Sequence, residues 1–445
     1  LKIMLFSSIE FLLFFTLFII FICILRNHQR SVIIIFSLFF YSYWDFRFLP
    51  LIAFFCVSTF YLIKKNYILF FSISIMIFPL IFFKYSSFII ETFNINFLLK
   101  YSYGGDLPLA ISFLTFTAIA ILIDRRDKIN DKYNFFNISE YLLYFPQLIA
   151  GPILRLNQLA PQLNEKILFL KDNIKFGIIL FGVGYIKKVY FADNIAIYID
   201  PYFQNPSLAE SEDLLKAFLL FPIQIYFDFS GYVDMALGVS KILGINLPKN
   251  FNKPYFASSI TDFWRRWHIT LSSWFKDYLY IPLGGSKVTN YKIYFNLIIT
   301  MAIAGLWHGA SFNFILWGIL NGFLLAVERF FKIEKFDYSF IKNLFYCFLI
   351  FNLWVVFRIS DFDSMIIFFE KLYTNFNDIL MFENLIVLFF VIIFVMSQKI
   401  DDYDFLRNFS KKISILVIIP FFIIIILVGF SISSGQSEKF IYFQF

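Results

Sequence analysis

The chain has 445 residues, of which 60% are hydrophobic and only 16% are charged. Soluble domains carry about 25% charged residues, so this composition excludes an ordinary soluble protein and predicts an integral membrane protein. The formal net charge is +7, but the basic residues cluster at the ends of apolar runs, which indicates membrane topology rather than nucleic-acid binding. The three cysteines form no CxxC pair, so the sequence predicts neither a disulfide framework nor a thiolate metal site.

The amino-terminal part of the sequence contains five apolar runs, each a candidate membrane crossing. The runs cover residues 9–25, 32–43, 49–63, 67–83 and 107–123. The first, third and fifth runs end in Arg and Lys, which are enriched on the cytoplasmic side of membranes. The sequence therefore predicts that the chain begins outside the cytoplasm. The first run lacks the cleavage site of a signal peptide, so we expect a retained helix.

The middle of the sequence, about residues 141–280, is interrupted by prolines that would break regular helices. These prolines are Pro146, Pro152, Pro161, Pro222, Pro248 and Pro254. Broken helices occur at membrane depth only where the backbone is buried in protein or lines a cavity. The sequence therefore predicts half-helices or re-entrant segments here.

The three histidines differ in their surroundings. His28 lies in the polar segment RNHQR, which is typical of a solvated topology signal. His308 lies in the apolar segment GLWHGASFNFILWG, where an ionisable group is a functional candidate because its burial is costly. His268 lies in FWRRWHITLSSWFKDY, residues 263–278. Two distant histidines without an HExxH motif predict no metal site.

Helical spacing in FWRRWHITLSSWFKDY predicts one aromatic stripe along a single helix. The stripe would contain Trp264, Trp267, Leu271, Trp274 and Tyr278, with Arg265, His268 and Ser272 on a neighbouring face. One interpretation is an interfacial helix with tryptophans at headgroup depth, where Arg265, Arg266 and Lys276 contact lipid phosphates. The other is a basic cytoplasmic mouth for a phosphorylated donor, in which Arg265, Arg266 and Trp267 bind a coenzyme and His268 lies deeper. Both interpretations can hold together.

Two aspartates, Asp228 and Asp234, lie in the apolar segment YFDFSGYVDMALG. Buried carboxylates need hydrogen bonds or a cation, so we expect a supporting polar network rather than direct catalysis. We assign Asn313 to the same supporting set.

Four segments resemble the signature blocks of the membrane-bound O-acyltransferases, specifically the bacterial branch that O-acetylates exported polysaccharides. The segments are FPQLIAGPI, YFDFSGYVDMALG, NFNKPYFASSITDFWRRWHITLSSWFKDYLYIPLGG and GLWHGASFNFILWG. The resemblance implies an all-α polytopic membrane protein, a ring of roughly 11 to 13 transmembrane and re-entrant helices around a central funnel. We expect one membrane domain over residues 1–445, composed of amino-terminal helices (1–140), a signature core (141–328), carboxy-terminal helices (329–430) and an external tail (431–445).

The resemblance also implies a chemistry. The tail motif FIYFQF resembles one whose tyrosine, here Tyr442, receives an acetyl group from cytoplasmic acetyl-CoA. A periplasmic SGNH-type acetyltransferase would then take the group. The phenol of Tyr442 needs a base, which we expect to be His308, while His268 positions the donor or stabilises the oxyanion. No permanently bound cofactor and no nucleic acid are expected.

Topology predicts independently that this tail lies outside the cytoplasm. The charged segment 401–412 is rich in Arg and Lys, so the apolar run 413–430 that follows it should cross outward. The expected location is the bacterial inner membrane, with both termini periplasmic.

Several alternatives remain open on sequence alone. The bias toward Lys, Asn, Ile and Phe indicates an AT-rich genome, which favours peptidoglycan as the final acceptor over alginate or another exopolysaccharide. D-alanyl transfer to teichoic acid is a weaker alternative. A transporter or lipid flippase also needs broken helices, buried aspartates and a cavity. That alternative gives Tyr442 no role and predicts no dependence on acetyl-CoA.

Overall fold

The chain is described here from a computed structural model, which describes residues 4–65, 67–124, 133–148, 151–332, 340–374, 382–398 and 401–432. Within these ranges the regular elements are helices, and no strand is present. The predicted all-α architecture is therefore confirmed.

The helices of the first half follow the predicted apolar runs closely. They are α1 (Ile9–Ile24), α2 (Gln29–Asp45), α3 (Leu49–Lys65), α4 (Leu69–Leu80), α5 (Ser86–Thr92), α6 (Ile111–Asp124), α7 (Phe135–Leu143), α8 (Phe145–Leu148), α9 (Leu156–Asn164), α10 (Lys171–Tyr185), α11 (Asp193–Gln204) and α12 (Ser211–Ile242). The five predicted early runs correspond to α1, α2, α3, α4 and α6. Two π-helical segments, Ile81–Tyr85 and Ile186–Ala192, continue α4 and α10.

The helices of the second half include the candidate site. They are α13 (Ile260–Arg266), α14 (Ile269–Phe275), α15 (Asn290–His308), α16 (Phe312–Phe331), α17 (Phe340–Arg358), α18 (Phe362–Thr374), α19 (Phe382–Ser397), α20 (Tyr403–Lys412) and α21 (Ile415–Ile432). A short 3₁₀ helix, Pro254–Phe256, precedes α13, and a π-helical turn, Lys276–Tyr280, follows α14.

Among the described residues, six helical stretches are long and apolar enough to cross a membrane. They are Arg26–Lys65, Leu69–Thr92, Ser211–Ile242, Phe312–Phe331, Phe340–Arg358 and Ile415–Ile432. Three shorter apolar helices, Ile9–Ile24, Ile111–Asp124 and Val387–Met396, accompany them. Length and composition thus support a polytopic membrane protein.

The chain divides into two compact units. The first contains Leu1–Phe181 and Tyr232–Pro248, and the second contains Gly182–Gly231 and Lys249–Phe445. The long helix α12 therefore supplies residues to both units. The prediction of one membrane domain with its four internal segments stays a prediction.

Each unit has an aromatic core. In the first unit, the ring of Phe145 lies 5.2 to 5.6 Å from the rings of Phe14, Phe18 and Phe40. In the second unit, Trp267 and Tyr255 lie among the rings of several other aromatic residues. Aromatic pairs of this kind stabilise the fold by more than the area that they bury.

One prediction about the prolines is wrong. Helix α12 continues without a break through Pro222, although proline removes a backbone hydrogen bond in a helix interior. The helix is largely buried, and surrounding protein can compensate freed backbone groups. The proline frees the carbonyl of Phe218, one turn earlier, whereas the carbonyl of Pro222 itself accepts a 2.8 Å hydrogen bond from the hydroxyl of Tyr255. Pro161 likewise lies inside a helix, α9, whereas the short helix α8 around Pro146 agrees with the prediction.

Candidate active site

His308 is the last residue of α15, at the tip of a tight antiparallel hairpin with α16. Two glycines permit this close approach. A Cβ at Gly305 would collide with the carbonyl oxygen of Phe314, and a Cβ at Gly318 would collide with that of Met301. The hairpin therefore fixes the position of His308 through backbone contact.

The imidazole of His308 is surrounded by aromatic rings. It is 5% exposed, and ring centroids of Trp307, Trp317 and Phe357 lie 4.9, 5.3 and 5.1 Å from its own. All three rings are close to perpendicular to it. This packing limits the rotation of the imidazole and keeps bulk water from most of its surface.

His308 also lines a cavity of about 400 Å³, a size typical of small-molecule sites. Three cationic side chains, Arg265, Lys276 and Arg329, line the same cavity. The lining contains no aspartate or glutamate. The side chains that line the cavity therefore carry a positive net charge, which favours an anionic ligand.

The cavity has two chemically different ends. The helix rise places Arg329 roughly 18 Å along α16 from Trp317, which contacts His308. The side chains of Arg265, Lys276 and Arg329 are exposed, whereas His308 and Trp317 are buried. A cationic mouth thus leads to a buried aromatic end that contains the histidine.

Helix α13 is attached to α16 by Glu328, a buried residue that sequence reasoning missed. Its Oε2 accepts hydrogen bonds of 2.9 Å from both the backbone N–H and the hydroxyl of Thr261. The indole N–H of Trp264 donates to Oδ1 of Asn321 on the same helix α16. These bonds position the α13 residues Trp264 and Arg265, which line the cavity. The sequence signal that could have identified Glu328 is an acidic residue within an otherwise apolar run.

The predicted single helix through residues 264–278 is wrong. Helix α13 ends at Arg266, Trp267 is extended, and His268 has left-handed dihedrals of φ 43° and ψ 54° before α14 begins. Spacing alone did not reveal the break, because the residue that stabilises it, Asn250, is distant in sequence. The side-chain Oδ1 of Asn250 accepts from the backbone N–H of Thr270, and its carbonyl accepts from Ile269.

His268 lies in this break and does not line the cavity. Its Nδ1–H donates to Oδ1 of Asn250 at 3.2 Å, and its ring packs perpendicular to Phe229 at 4.6 Å. It is 1% exposed, and this burial lowers the pKa of its imidazole to about 3. His268 is therefore neutral at physiological pH, and the structure does not bring it to the cavity that contains His308.

The predicted donor-binding residues separate in the same way. Of the three, only Arg265 lines the cavity. Arg266 forms a 2.8 Å ion pair with Asp262 one helical turn earlier. Trp267 is buried and stacks against Phe263 at 5.6 Å. Lys276 and Arg329 line the cavity as well, although neither was predicted to bind the donor.

The supporting polar residues have structural surroundings. Asn313 is buried, and its amide donates a 2.7 Å hydrogen bond to the carbonyl of Ile359. Asp228 pairs with the buried Lys188 at 2.6 Å, and Asp193 pairs with the same ammonium at 2.7 Å. Burial alone would lower the pKa of Lys188, but the carboxylates of Asp228 and Asp193 raise it above its ordinary value.

The last two predicted site residues are Asp234 and Tyr442. Asp234 is 3% exposed and belongs to the first compact unit, whereas Asp228 belongs to the second. Its predicted supporting role stays a prediction. Tyr442 lies outside the described residues. In the part of the chain that the structure describes, no group of three or more His, Cys, Asp or Glu residues could hold a metal ion.

Comparison with known proteins identifies the family. Residues 33–360 match the membrane-bound O-acyltransferase family. The chain is 38% identical over 371 residues to "Peptidoglycan O-acetyltransferase" of Helicobacter pylori, which covers 74% of this chain and 70% of that protein. It is 40% identical over 293 residues to "Probable alginate O-acetylase AlgI" of Azotobacter vinelandii, covering 63% of this chain and 58% of that protein.

A more distant similarity extends to "Teichoic acid D-alanyltransferase" of Streptococcus thermophilus, with 29% identity over 238 residues. This match covers 49% of the chain and 56% of that protein. The chain thus spans less than two thirds of the length of the Azotobacter and Streptococcus relatives. The family match includes α13 to α16 and therefore the whole cavity lining. The chain belongs to the membrane-bound O-acyltransferase family and is a membrane acyltransferase.

Proposed function

We propose that this enzyme takes acetyl groups from cytoplasmic acetyl-CoA and delivers them across the bacterial inner membrane to an exported cell-envelope polysaccharide. The acetyl group passes through Tyr442 to a periplasmic SGNH-type acetyltransferase. The observation that carries the proposal is the cavity that joins His308 to a mouth lined by three cations.

The cavity suits a thioester donor with a phosphorylated carrier. Arg265, Lys276 and Arg329 can bind phosphate oxygens at the exposed mouth. Leu297, Met301 and Ala304 line the interior, where an uncharged arm fits better than a phosphate. The reactive end of such a donor would then reach His308.

The proposed reaction needs one base. His308 accepts the phenolic proton of Tyr442 as the phenolate oxygen attacks the acetyl carbonyl carbon. A new carbon–oxygen bond forms, the carbon–sulfur bond breaks, and the departing thiolate takes the proton back from His308. The acetyl-tyrosine ester then gives its acetyl group to the serine of the partner enzyme.

Peptidoglycan is the acceptor that we favour. Support comes from the 38% identity to a peptidoglycan O-acetyltransferase over 74% of this chain. Alginate is the second candidate, because a relative at 40% identity has a name that specifies alginate. D-alanyl transfer has weaker support, since the similarity there is 29% over about half the chain.

Mass spectrometry of carboxy-terminal peptides tests the proposal. The full chain, purified in detergent, is incubated with isotopically labelled acetyl-CoA, alongside His308→Ala and Tyr442→Phe. We expect a labelled acetyl group on Tyr442 in the unaltered chain and none in either variant. Tyr291→Phe is the matched control, because Tyr291 is 80% exposed and lies outside the cavity lining.

Two results would contradict the proposal in different ways. If acetyl-CoA is consumed without label on Tyr442, the tyrosine relay is wrong and His308 serves an external acceptor directly. If acetyl-CoA is not consumed even with the periplasmic partner present, acetyl-CoA is not the donor.

A further inference from the structure

The cavity contains buried polar groups that the proposed reaction has not yet used. Nε1 of Trp317 and Oγ1 of Thr300 are buried and make no hydrogen bond with any described residue. Trp317 is 2% and Thr300 6% exposed, and both residues line the cavity. A buried donor without a partner costs about 1 to 3 kcal/mol, so such groups usually have a ligand or a functional reason.

Trp317 stands beside the catalytic base. Its ring centroid lies 5.3 Å from that of His308, with the two planes at 89°. The ring is held in place by Trp264 at 5.6 Å and Phe357 at 5.2 Å, and Gly318 packs against the backbone of α15. The indole is therefore a rigid group adjacent to the atoms that react.

We propose that the indole N–H of Trp317 donates a hydrogen bond to the carbonyl oxygen of the acyl group, which makes Trp317 a catalytic residue of this enzyme. This inference rests on the proposed thioester donor. As the nucleophile attacks, the carbonyl oxygen gains negative charge, and a fixed N–H donor stabilises that charge more than it stabilises the ground state. An indole suits the position because it can only donate.

The proposal replaces an expectation about His268. The sequence predicted His268 as a group that could stabilise the oxyanion, but it does not line the cavity and hydrogen-bonds with Asn250 instead. Trp317 lines the cavity, its ring contacts that of His308, and its buried N–H makes no hydrogen bond with a described residue. The oxyanion role therefore passes from a histidine to a tryptophan.

Thr300 provides an internal contrast. It lies on the same face of α15 as Ala304 and His308, roughly 12 Å along the helix from His308. This separation is too great for one carbonyl oxygen to contact Thr300 while it reacts beside His308. Removing the Thr300 hydroxyl should therefore weaken donor binding rather than slow the chemical step.

Kinetics of Trp317→Phe test the proposal, because phenylalanine keeps an aromatic ring and removes the N–H. The full chain in lipid nanodiscs is assayed for CoA release from acetyl-CoA, with the periplasmic partner and its acceptor present so that Tyr442 is deacetylated and turnover continues. We expect kcat to fall about 100-fold, with KM changed less than about threefold. Thr300→Val should show the opposite pattern, a higher KM with kcat nearly retained.

Trp354→Phe is the matched control. The Trp354 ring stacks on Trp317 at 6.2 Å, but its N–H already donates to the hydroxyl of Tyr255 and it does not line the cavity. We expect lower thermal stability and a kcat per folded molecule close to that of the unaltered chain. Equal losses of kcat in Trp317→Phe and Trp354→Phe would overturn the proposal, as would a kcat in Trp317→Phe within about twofold of normal.

A binding measurement separates this inference from the proposed function. The probe is the ketone analogue of acetyl-CoA in which CH₂ replaces the thioester sulfur, so that the carbonyl remains but no transfer occurs. We expect Trp317→Phe to weaken binding of this ketone about twofold to threefold, in line with the small change in KM, while binding of CoA itself is unchanged. Absence of transfer by the unaltered chain refutes the proposed function. The Trp317 inference is refuted if Trp317→Phe binds the ketone normally or if the unaltered chain does not bind it.

Discussion

His308 and His268 are both buried histidines that follow a tryptophan, yet they differ in backbone position and in access to the cavity. His308 ends a helix, faces aromatic rings and lines a cavity with a cationic mouth. His268 occupies a left-handed break between two short helices, hydrogen-bonds with Asn250 and does not line the cavity.

The comparison shows that burial alone does not identify a catalytic histidine. At 5% and 1%, the exposed fractions of His308 and His268 are almost equal. Access to a ligand-sized space separates them, together with the residues that surround each ring. His308 can exchange protons with a bound molecule, whereas the Nδ1–H of His268 is already committed to Asn250.

The sharpest test of this difference exchanges each histidine for glutamine. We expect His308→Gln to lower kcat by about 10²- to 10⁴-fold, because glutamine cannot act as the base, with little loss of stability. We expect His268→Gln to lower the free energy of unfolding by about 1 to 3 kcal/mol, because a buried hydrogen bond is disturbed. Activity per folded molecule and thermal unfolding in detergent are measured for both variants.

Asn250→Asp adds a control on the second histidine. The carboxylate keeps an acceptor for His268 and for the N–H of Thr270, so it should retain the break better than Asn250→Leu. A loss of kcat of about 10³-fold in His268→Gln without loss of stability would contradict this distinction, because it would show that His268 takes part in the reaction.

The pH dependence of stability tests the same site with a smaller effect. The pKa of His268 in the folded chain is about 3 because of burial, against about 6.5 in an unfolded chain. Below pH 6.5 the unfolded chain binds a proton at His268 and the folded chain does not. The contribution of His268 to stability is therefore fully present above pH 6.5 and is lost as the pH falls toward 3. The slope from this one group is at most about 1.4 kcal/mol per pH unit.

Thermal unfolding between pH 7.5 and 5 measures this slope. We expect the stability of His268→Gln to depend less steeply on pH than that of the unaltered chain. The same measurement on His308→Gln gives the contribution of the other histidine. Carboxylates titrate equally in all three chains and cancel in the comparison. A slope in His268→Gln equal to that of the unaltered chain would show that His268 already binds a proton in the fold.

Sequence reasoning predicted the helices well, because long apolar runs carry their own signal. It failed at Pro222, because surrounding protein buries α12 and the helix continues through the proline. It failed again at the α13–α14 break, because helical spacing continues through His268 even though Asn250 takes the hydrogen bonds. Both errors come from tertiary contacts that override local pattern.

The candidate site was predictable in part. The apolar context of His308 and the basic character of Arg265 were visible in the sequence, and both line the cavity. Lys276 was considered only as a contact to lipid phosphates, and Arg329 and Trp317 carry no local mark of function. Their place in the cavity depends on how α14 and α16 pack around α15, which no single-sequence pattern encodes.

The exposed end of the cavity should give the smallest effect of the series. Lys276→Ala removes one of three cations from the lining, and we expect KM for acetyl-CoA to rise about twofold to fivefold, because an exposed ion pair contributes up to about 1 kcal/mol. The effect should shrink as salt is added, since exposed charges are screened. Steady-state kinetics at two ionic strengths provide the measurement.

Two controls decide whether the mouth binds phosphate. Lys292→Ala removes an exposed charge from α15 that does not line the cavity, so KM should not change. S-acetylpantetheine has the thioester and the arm but no phosphate, so Lys276→Ala should leave its KM unaltered. If Lys276→Ala raises KM equally for both donors, the cation acts on the arm or on the packing of α14, and the division into a phosphate-binding mouth and a reactive end fails. If only acetyl-CoA responds, the charge and the base act on opposite ends of one extended donor.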